Sequence, residues 1–251
     1  MSSVLLRRRS ALLCAAVVAL GACTTSTEAS NAGPAPEEAE VAAPLPTIGL
    51  GSDFSRIDAG VGSEARDPEA VESIVMIGDS ITVASTEELE QQFDRRGFDD
   101  VTIVAQQGKR IGESFGDNAS GATIADFVAD DHDGAPGERL WIVALGTNDI
   151  SQYQDSGEIA DVIDTVLESV PADAPLIWVD TYFAGRPDDT ADVNSAIERA
   201  IVSRGNATIG PWSVHAPADG VISQDGVHPT EQGTALFADV VGSTATDFLR
   251  R

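Results

Sequence analysis

Cysteine is nearly missing from this chain: its 251 residues contain two, Cys14 and Cys23. Both stand near the N-terminus, so everything after residue 23 is without a thiol. That excludes an internal disulfide, a thiolate metal site and a cysteine nucleophile there. Basic residues are also scarce, with 15 Lys and Arg against 41 Asp and Glu and a formal net charge of −26. Binding to a phosphate backbone needs a basic surface, so nucleic acid is excluded as a partner. Adhesion of the protein surface to anionic lipid is excluded for the same reason. The longest apolar run, near the start, is too short to span a bilayer as a helix.

That run belongs to a targeting segment, residues 1–22. Arg7, Arg8 and Arg9 form a positive region, Ala11 to Leu20 a short apolar one, and small residues close it. Leu20-Gly21-Ala22-Cys23 resembles a bacterial lipobox, a signal in which the cysteine is lipidated and becomes the mature N-terminus. An ordinary secretory signal with an incidental Cys23 is the alternative. Arg8-Arg9-Ser10-Ala11-Leu12 is similar to a twin-arginine signal, which leaves the Sec and Tat routes both open. The expectation is an exported protein held to the bacterial cell membrane by an acyl chain on Cys23, facing the periplasm or cell wall. Removing residues 1–22 takes away three arginines and no acid, so the mature chain is more acidic still.

Residues 23–72 follow as tether and strap. The stretch 24–47 holds Ser, Thr, Ala, Glu and four prolines, with no basic or aromatic residue. It cannot bury enough apolar surface to offset its ordering entropy and reads as a disordered tether. Residues 48–72 are glycine-rich and poor in apolar residues, as in a strap lying on the domain. From residue 73 to 251 short apolar runs alternate with amphipathic stretches. Strands are expected at 74–77, 101–105, 140–145 and 176–179, with a weaker one at 207–209. The runs are apolar enough to be buried on both faces, as in a parallel sheet. Ser85-Thr86-Glu87-Glu88 reads as a capping box opening a helix that ends before Gly97. Apolar spacings of three and four predict helices over 159–167 and 193–202, and Thr230 with Glu231 and Gln232 opens a closing helix to residue 249. Such alternation implies one three-layer α/β/α domain, a doubly wound parallel sheet of about five strands.

Ligands of an open parallel sheet bind at the loops after the carboxyl ends of its strands. The chemically informative residues stand there. Gly78-Asp79-Ser80 follows the first strand, Gln106-Gln107-Gly108 the second, and Gly146-Thr147-Asn148-Asp149 the third. Asp225-Gly226-Val227-His228-Pro229 precedes the last helix. A serine hydroxyl is a poor nucleophile until a base takes its proton, and imidazole suits that task near neutral pH. Ser80 on a strand-to-helix turn would be exposed, with its own N–H facing a developing oxyanion. Gly108, without a side chain, lets its N–H approach a substrate carbonyl, and Asn148 can donate a third hydrogen bond. Asp225, three residues before His228, can reach the imidazole Nδ1 and fix its tautomer. Taken singly, each residue is also an ordinary turn or capping residue; the ordered set is what points to chemistry.

In this order and context, Gly-Asp-Ser, the isolated Gly, Gly-Thr-Asn-Asp and Asp-x-x-His-Pro resemble the blocks of the SGNH, or GDSL-like, hydrolases. The four letters fall on Ser80, Gly108, Asn148 and His228, and the resemblance covers residues 74–251. It implies a flavodoxin-like fold and a serine esterase with Ser80, His228 and Asp225 as triad. The implied oxyanion hole is Ser80, Gly108 and Asn148. No metal and no organic cofactor are implied. Substrates would be carboxylic esters, with a lean toward acylated envelope glycans, because Gly108-Lys109-Arg110 resembles the acyltransferase-associated members that act on cell-wall glycans. Lys109 and Arg110 are accordingly expected to contact an anionic part of the substrate, or else to be a solvated loop pair.

Other candidates are weaker. His132 in Asp130-Asp131-His132-Asp133 superficially suggests a metal site, but such close neighbours seldom enclose an ion. His215 has no motif around it. Tyr153, Tyr182, Phe183 and Trp212 could line an acyl or sugar pocket or equally pack in the core. Two rivals keep the fold: an envelope O-acyltransferase using the same triad, and a non-catalytic envelope-binding lipoprotein.

Overall fold

A computed structural model of the chain describes residues 58–59, 71–114, 116–131, 134–153 and 155–251. Cys23, residues 1–22, the 24–47 stretch and His132 lie outside the described residues. Five strands run parallel: β2 (Ser73–Gly78), β3 (Val101–Ala105), β4 (Arg139–Ala144), β5 (Leu176–Val179) and β6 (Ala207–Gly210). Of the expected strap, β1 (Asp58–Ala59) is a two-residue strand antiparallel to β6 at the sheet edge. The order is β1-β6-β5-β4-β2-β3. The chain leaves β2 for β3 on one side and returns for β4 on the other, so a crevice opens at the carboxyl ends of β2 and β4.

Alternation along the strands divides the apolar residues between two faces. Val75, Ile77, Trp141, Val143 and Trp178 pack against residues of α3 (Gly121–Asp130), α4 (Ser156–Ser169) and α5 (Pro187–Arg204). Ile74, Met76, Leu140, Ile142 and Ile177 pack against α2 (Thr86–Arg95), α6 (Trp212–His215) and α7 (Glu231–Leu249). Helices therefore cover both faces of the sheet. The central strands are apolar on both sides because both sides are core. The edge strand β3 is mostly half-buried.

The expected capping box at Ser85 is not formed. A short helix, α1 (Ser80–Ala84), precedes α2, and Ser85 between them has φ −105° and ψ 10°, outside the extended region of a capping residue. Its N–H turns back to Ile81 O and Thr82 O. Thr230, by contrast, does cap: its backbone is extended and its hydroxyl accepts from Gly233 N at 3.1 Å.

Candidate active site

Four loops meet at the crevice. The first is the turn after β2, where Gly78 lies so close to α1 that a Cβ there would run into the Thr82 side chain. Asp79 caps α1 by accepting from Ile81 N at 2.9 Å. Ser80 becomes the first residue of the helix, with an N–H that has no intrahelical acceptor. Asp79 is buried (1% exposed), and burial pushes its carboxyl up to about 7 against the pull of the Ile81 N–H.

The last loop, between α6 and α7, brings the imidazole. Asp225 Oδ1 accepts from Val227 N and His228 N, both at 2.9 Å, and from Ser223 Oγ at 2.8 Å. Its Oδ2 lies 2.8 Å from His228 Nδ1, and His228 Nε2 lies 3.0 Å from Ser80 Oγ. A carboxylate can only accept, so Nδ1 carries the proton and Nε2 presents its lone pair to the serine hydroxyl. The Val227 N–H foremost, then the imidazole and the His228 N–H, hold the Asp225 carboxyl well below the usual carboxylate range. Both side chains are about half exposed, 47% for His228 and 51% for Asp225.

Gly108 lies in the loop after β3 with φ 72°, a left-handed conformation open to glycine and costly to other residues. Its N–H has no hydrogen-bond partner among the described residues. Asn148, in a 3-10 turn after β4, donates through Nδ2 to Lys109 O at 3.1 Å and to Asp79 Oδ2 at 3.3 Å. The amide thus bridges the nucleophile turn and the Gly108 loop. The structure gathers Ser80, Gly108, Asn148, Asp225 and His228 at one end of the sheet.

Lys109 and Arg110 are placed differently from the expectation that they meet substrate charge. The Lys109 side chain folds inward, 1% exposed, and Nζ donates to Ala119 O at 2.8 Å. Burial lowers its pKa. Arg110 turns along the loop, donating to Gln152 Oε1 at 2.8 Å and to Glu113 Oε2 at 3.3 Å. Both cations are spent on holding the loop, where a 15-residue return to α3 needs interior partners that spacing alone does not reveal. Trp212 is buried, and Tyr182 and Phe183 pack partly against the two cores. Tyr153 donates its hydroxyl to Asp149 Oδ1 at 2.9 Å. His215 ends α6, where burial lowers its pKa. Among the described residues no cluster of His, Cys, Asp or Glu could hold a metal ion.

The family model "GDSL-like Lipase/Acylhydrolase" matches residues 74–241. The chain belongs to the GDSL-like lipase/acylhydrolase family. It is a carboxylic-ester hydrolase of SGNH type. No curated protein matches this acylhydrolase in sequence. Solved structures share its fold at low identity. A member of the lipolytic G-D-S-L family from Veillonella parvula superposes with a TM-score of 0.56 at 18% identity, covering 69% of this chain and 98% of its own. An aryl esterase from M. smegmatis gives 0.55 at 16%, with 71% and 100% covered. The catalytic domain of peptidoglycan O-acetyltransferase A from Streptococcus pneumoniae gives 0.51 at 18%, with 70% and 96% covered.

Proposed function

We propose that this GDSL-like acylhydrolase is an exported serine esterase that removes short acyl groups from envelope glycans through an acyl-enzyme on Ser80. The observation that carries the reading is the continuous relay from Asp225 Oδ2 through His228 to Ser80 Oγ, with links of 2.8 and 3.0 Å. Ser80 Oγ attacks the ester carbonyl carbon as its proton passes to His228 Nε2. The oxyanion is met by the N–H groups of Ser80 and Gly108 and by Asn148 Nδ2. Collapse of the tetrahedral species expels the alcohol, which takes the proton from Nε2. Water then loses a proton to the same nitrogen, attacks the acyl-enzyme, and leaves as the carboxylic acid with Ser80 regenerated.

The half-exposed His228 and Asp225 favour hydrolysis over transfer, because water reaches the acyl-enzyme without hindrance. An open site also lets a polymer lie across it, and the shared fold with a peptidoglycan O-acetyltransferase supports a glycan as the alcohol. The test is to offer the purified full-length chain aryl acetate, aryl palmitate and O-acetylated glycan fragments, with and without an unacylated sugar acceptor. Release of acetate, preference for the short acyl chain and indifference to the acceptor are expected. Diversion of the acyl group onto the sugar would make the protein a transferase, and absence of turnover on every ester would make it a binding lipoprotein.

Attachment to the membrane through Cys23 belongs to the same proposal and rests on Leu20-Gly21-Ala22-Cys23. Wild type is expected to incorporate labelled fatty acid and sediment with membranes, and Cys23→Ala to do neither. Equal labelling of the two would remove the anchor from the proposal.

A further inference from the structure

Asn148 is followed by a carboxylate that reaches into the same loop from behind. Asp149 is fully buried (0% exposed) in the 3-10 turn Thr147–Asp149. Its Oδ2 accepts from Ile111 N at 3.1 Å, its Oδ1 from the same N–H at 3.3 Å and from the Tyr153 hydroxyl at 2.9 Å. Ile111 is itself buried and stands three residues after Gly108. The segment 108–111 is therefore gripped at three points by the turn 147–153. Asn148 holds Lys109 O, Asp149 holds Ile111 N, and Gln152 holds the Arg110 guanidinium. Burying a carboxylate with no ion pair among the described residues is costly. A neutral side chain would serve packing at less cost, which directs attention to what a full negative charge does for the Ile111 N–H.

We propose that Asp149 is a positioning residue for the oxyanion hole: braced by Tyr153, it latches Ile111 and so fixes the Gly108 N–H, and the latch holds only while Asp149 is ionised. The proposal rests on the reading of Gly108 as an oxyanion donor. A carboxylate offers acceptors on both oxygens, whereas a protonated carboxyl turns one of them into a donor facing another donor. Several charged or titratable groups bear on Asp149. Tyr153 comes from the turn after Asn148, Arg110 and Glu113 from the loop after β3, and Asp79 from the nucleophile turn, which is in turn influenced by His228. Burial raises Asp149 to about 6, opposed by the Tyr153 and Ile111 hydrogen bonds and by Arg110, and reinforced by Glu113. Burial and the neighbouring Asp149 push the Tyr153 hydroxyl above its ordinary range, so it keeps its proton throughout. The latch is thus closed above about pH 6 and opens as pH falls through that value.

Tyr153→Phe removes a bond that favours the ionised form, so Asp149 should hold its proton to higher pH. One charge-assisted hydrogen bond corresponds to a displacement of about one pH unit. The experiment measures kcat and KM for an aryl acetate from pH 5 to 9 in wild type and Tyr153→Phe, with fluorophosphonate labelling of Ser80 in parallel. It also follows the Ile111 amide resonance of wild type by NMR against pH. In the variant kcat should fall at higher pH than in wild type, KM should stay put, and the rates should converge at pH 9. In wild type the Ile111 amide should titrate near pH 6. Tyr153 bonds to Asp149 and not to the relay of Asp225, His228 and Ser80, so the substitution leaves the base and nucleophile in place. An unmoved kcat profile in a variant that labels normally, or an Ile111 amide indifferent to pH, overturns the latch while leaving the esterase reading intact. Failure of wild type to label at Ser80 overturns the esterase reading itself. If Tyr153→Phe does not fold, the Ile111 titration in wild type still decides.

Discussion

Replacing Ser80 by alanine is expected to lower kcat by roughly 10⁴- to 10⁶-fold, the scale on which serine hydrolases lose a nucleophile or its base. The fold should survive, because among the described residues the Ser80 hydroxyl bonds to His228 alone, and α1 is capped by Asp79 and not by Ser80. His228→Ala should cost about as much. The double variant should be no worse than either alone, since Ser80 and His228 act as one unit and neither half works without the other. Asp225→Asn should lose less. It would keep an acceptor for the Val227 and His228 N–H groups, and it damages the tautomer of the base without removing the base. Turnover and labelling by a fluorophosphonate are the measurements, with circular dichroism as the check on folding. Labelling of the folded Ser80→Ala protein at the wild-type rate would place the nucleophile elsewhere.

Asn148→Ala is expected to lower kcat by about 10²- to 10³-fold with little change in KM, as for loss of one oxyanion donor. At rest the Asn148 amide donates to Lys109 O and Asp79 Oδ2 at 3.1 and 3.3 Å. Those are long contacts, and a developing oxyanion, which concentrates its charge on a single oxygen, can compete for the same donor. The ground-state ester has no such charge, which is why binding should be spared. The same substitution leaves Asp79 with one fewer donor and the Gly108 loop with one fewer tie. Inhibition by a tetrahedral mimic such as a boronic acid should therefore weaken in step with kcat. A raised KM with kcat intact would make Asn148 a contact of the ground state instead.

Much of this was legible in the sequence because the signals were local and repeated. Apolar runs buried on both faces gave β2, β4 and β5, and their loop residues came in an order that chance does not produce. Other features depend on where a loop returns. Nothing adjacent to Lys109 in sequence announces that Ala119 O will meet its ammonium, so a charged residue beside a glycine looked like a surface one. Helix α3 lies behind a polar loop that masks its signal, although Ser120 before Ile124, Ala125 and Val128 is a capping residue followed by apolar spacing. Ser85 misled in the opposite way. It carries the composition of a capping box, but α1, set by the Asp79 cap six residues earlier, already occupies the backbone there. Asp149 follows Asn148 directly, and Tyr153 stands four residues after Asp149. Their spacing was visible, but the hold of Asp149 on Ile111, with Tyr153 behind it, is a matter of the third dimension.

The hydrogen bond between Ser80 and His228 joins residues 148 apart in the chain. During synthesis the nucleophile emerges long before its base, and the loop that carries His228 is held between α6 and α7, the final helix. Contacts of such separation form late, because the entropy of closing so long a loop must be met before they return anything. A chain lacking α7, or not yet folded to its end, therefore carries an inert serine. Reactivity itself becomes a report on completed folding: an acyl-enzyme can form only in molecules where Ser80 and His228 have already met.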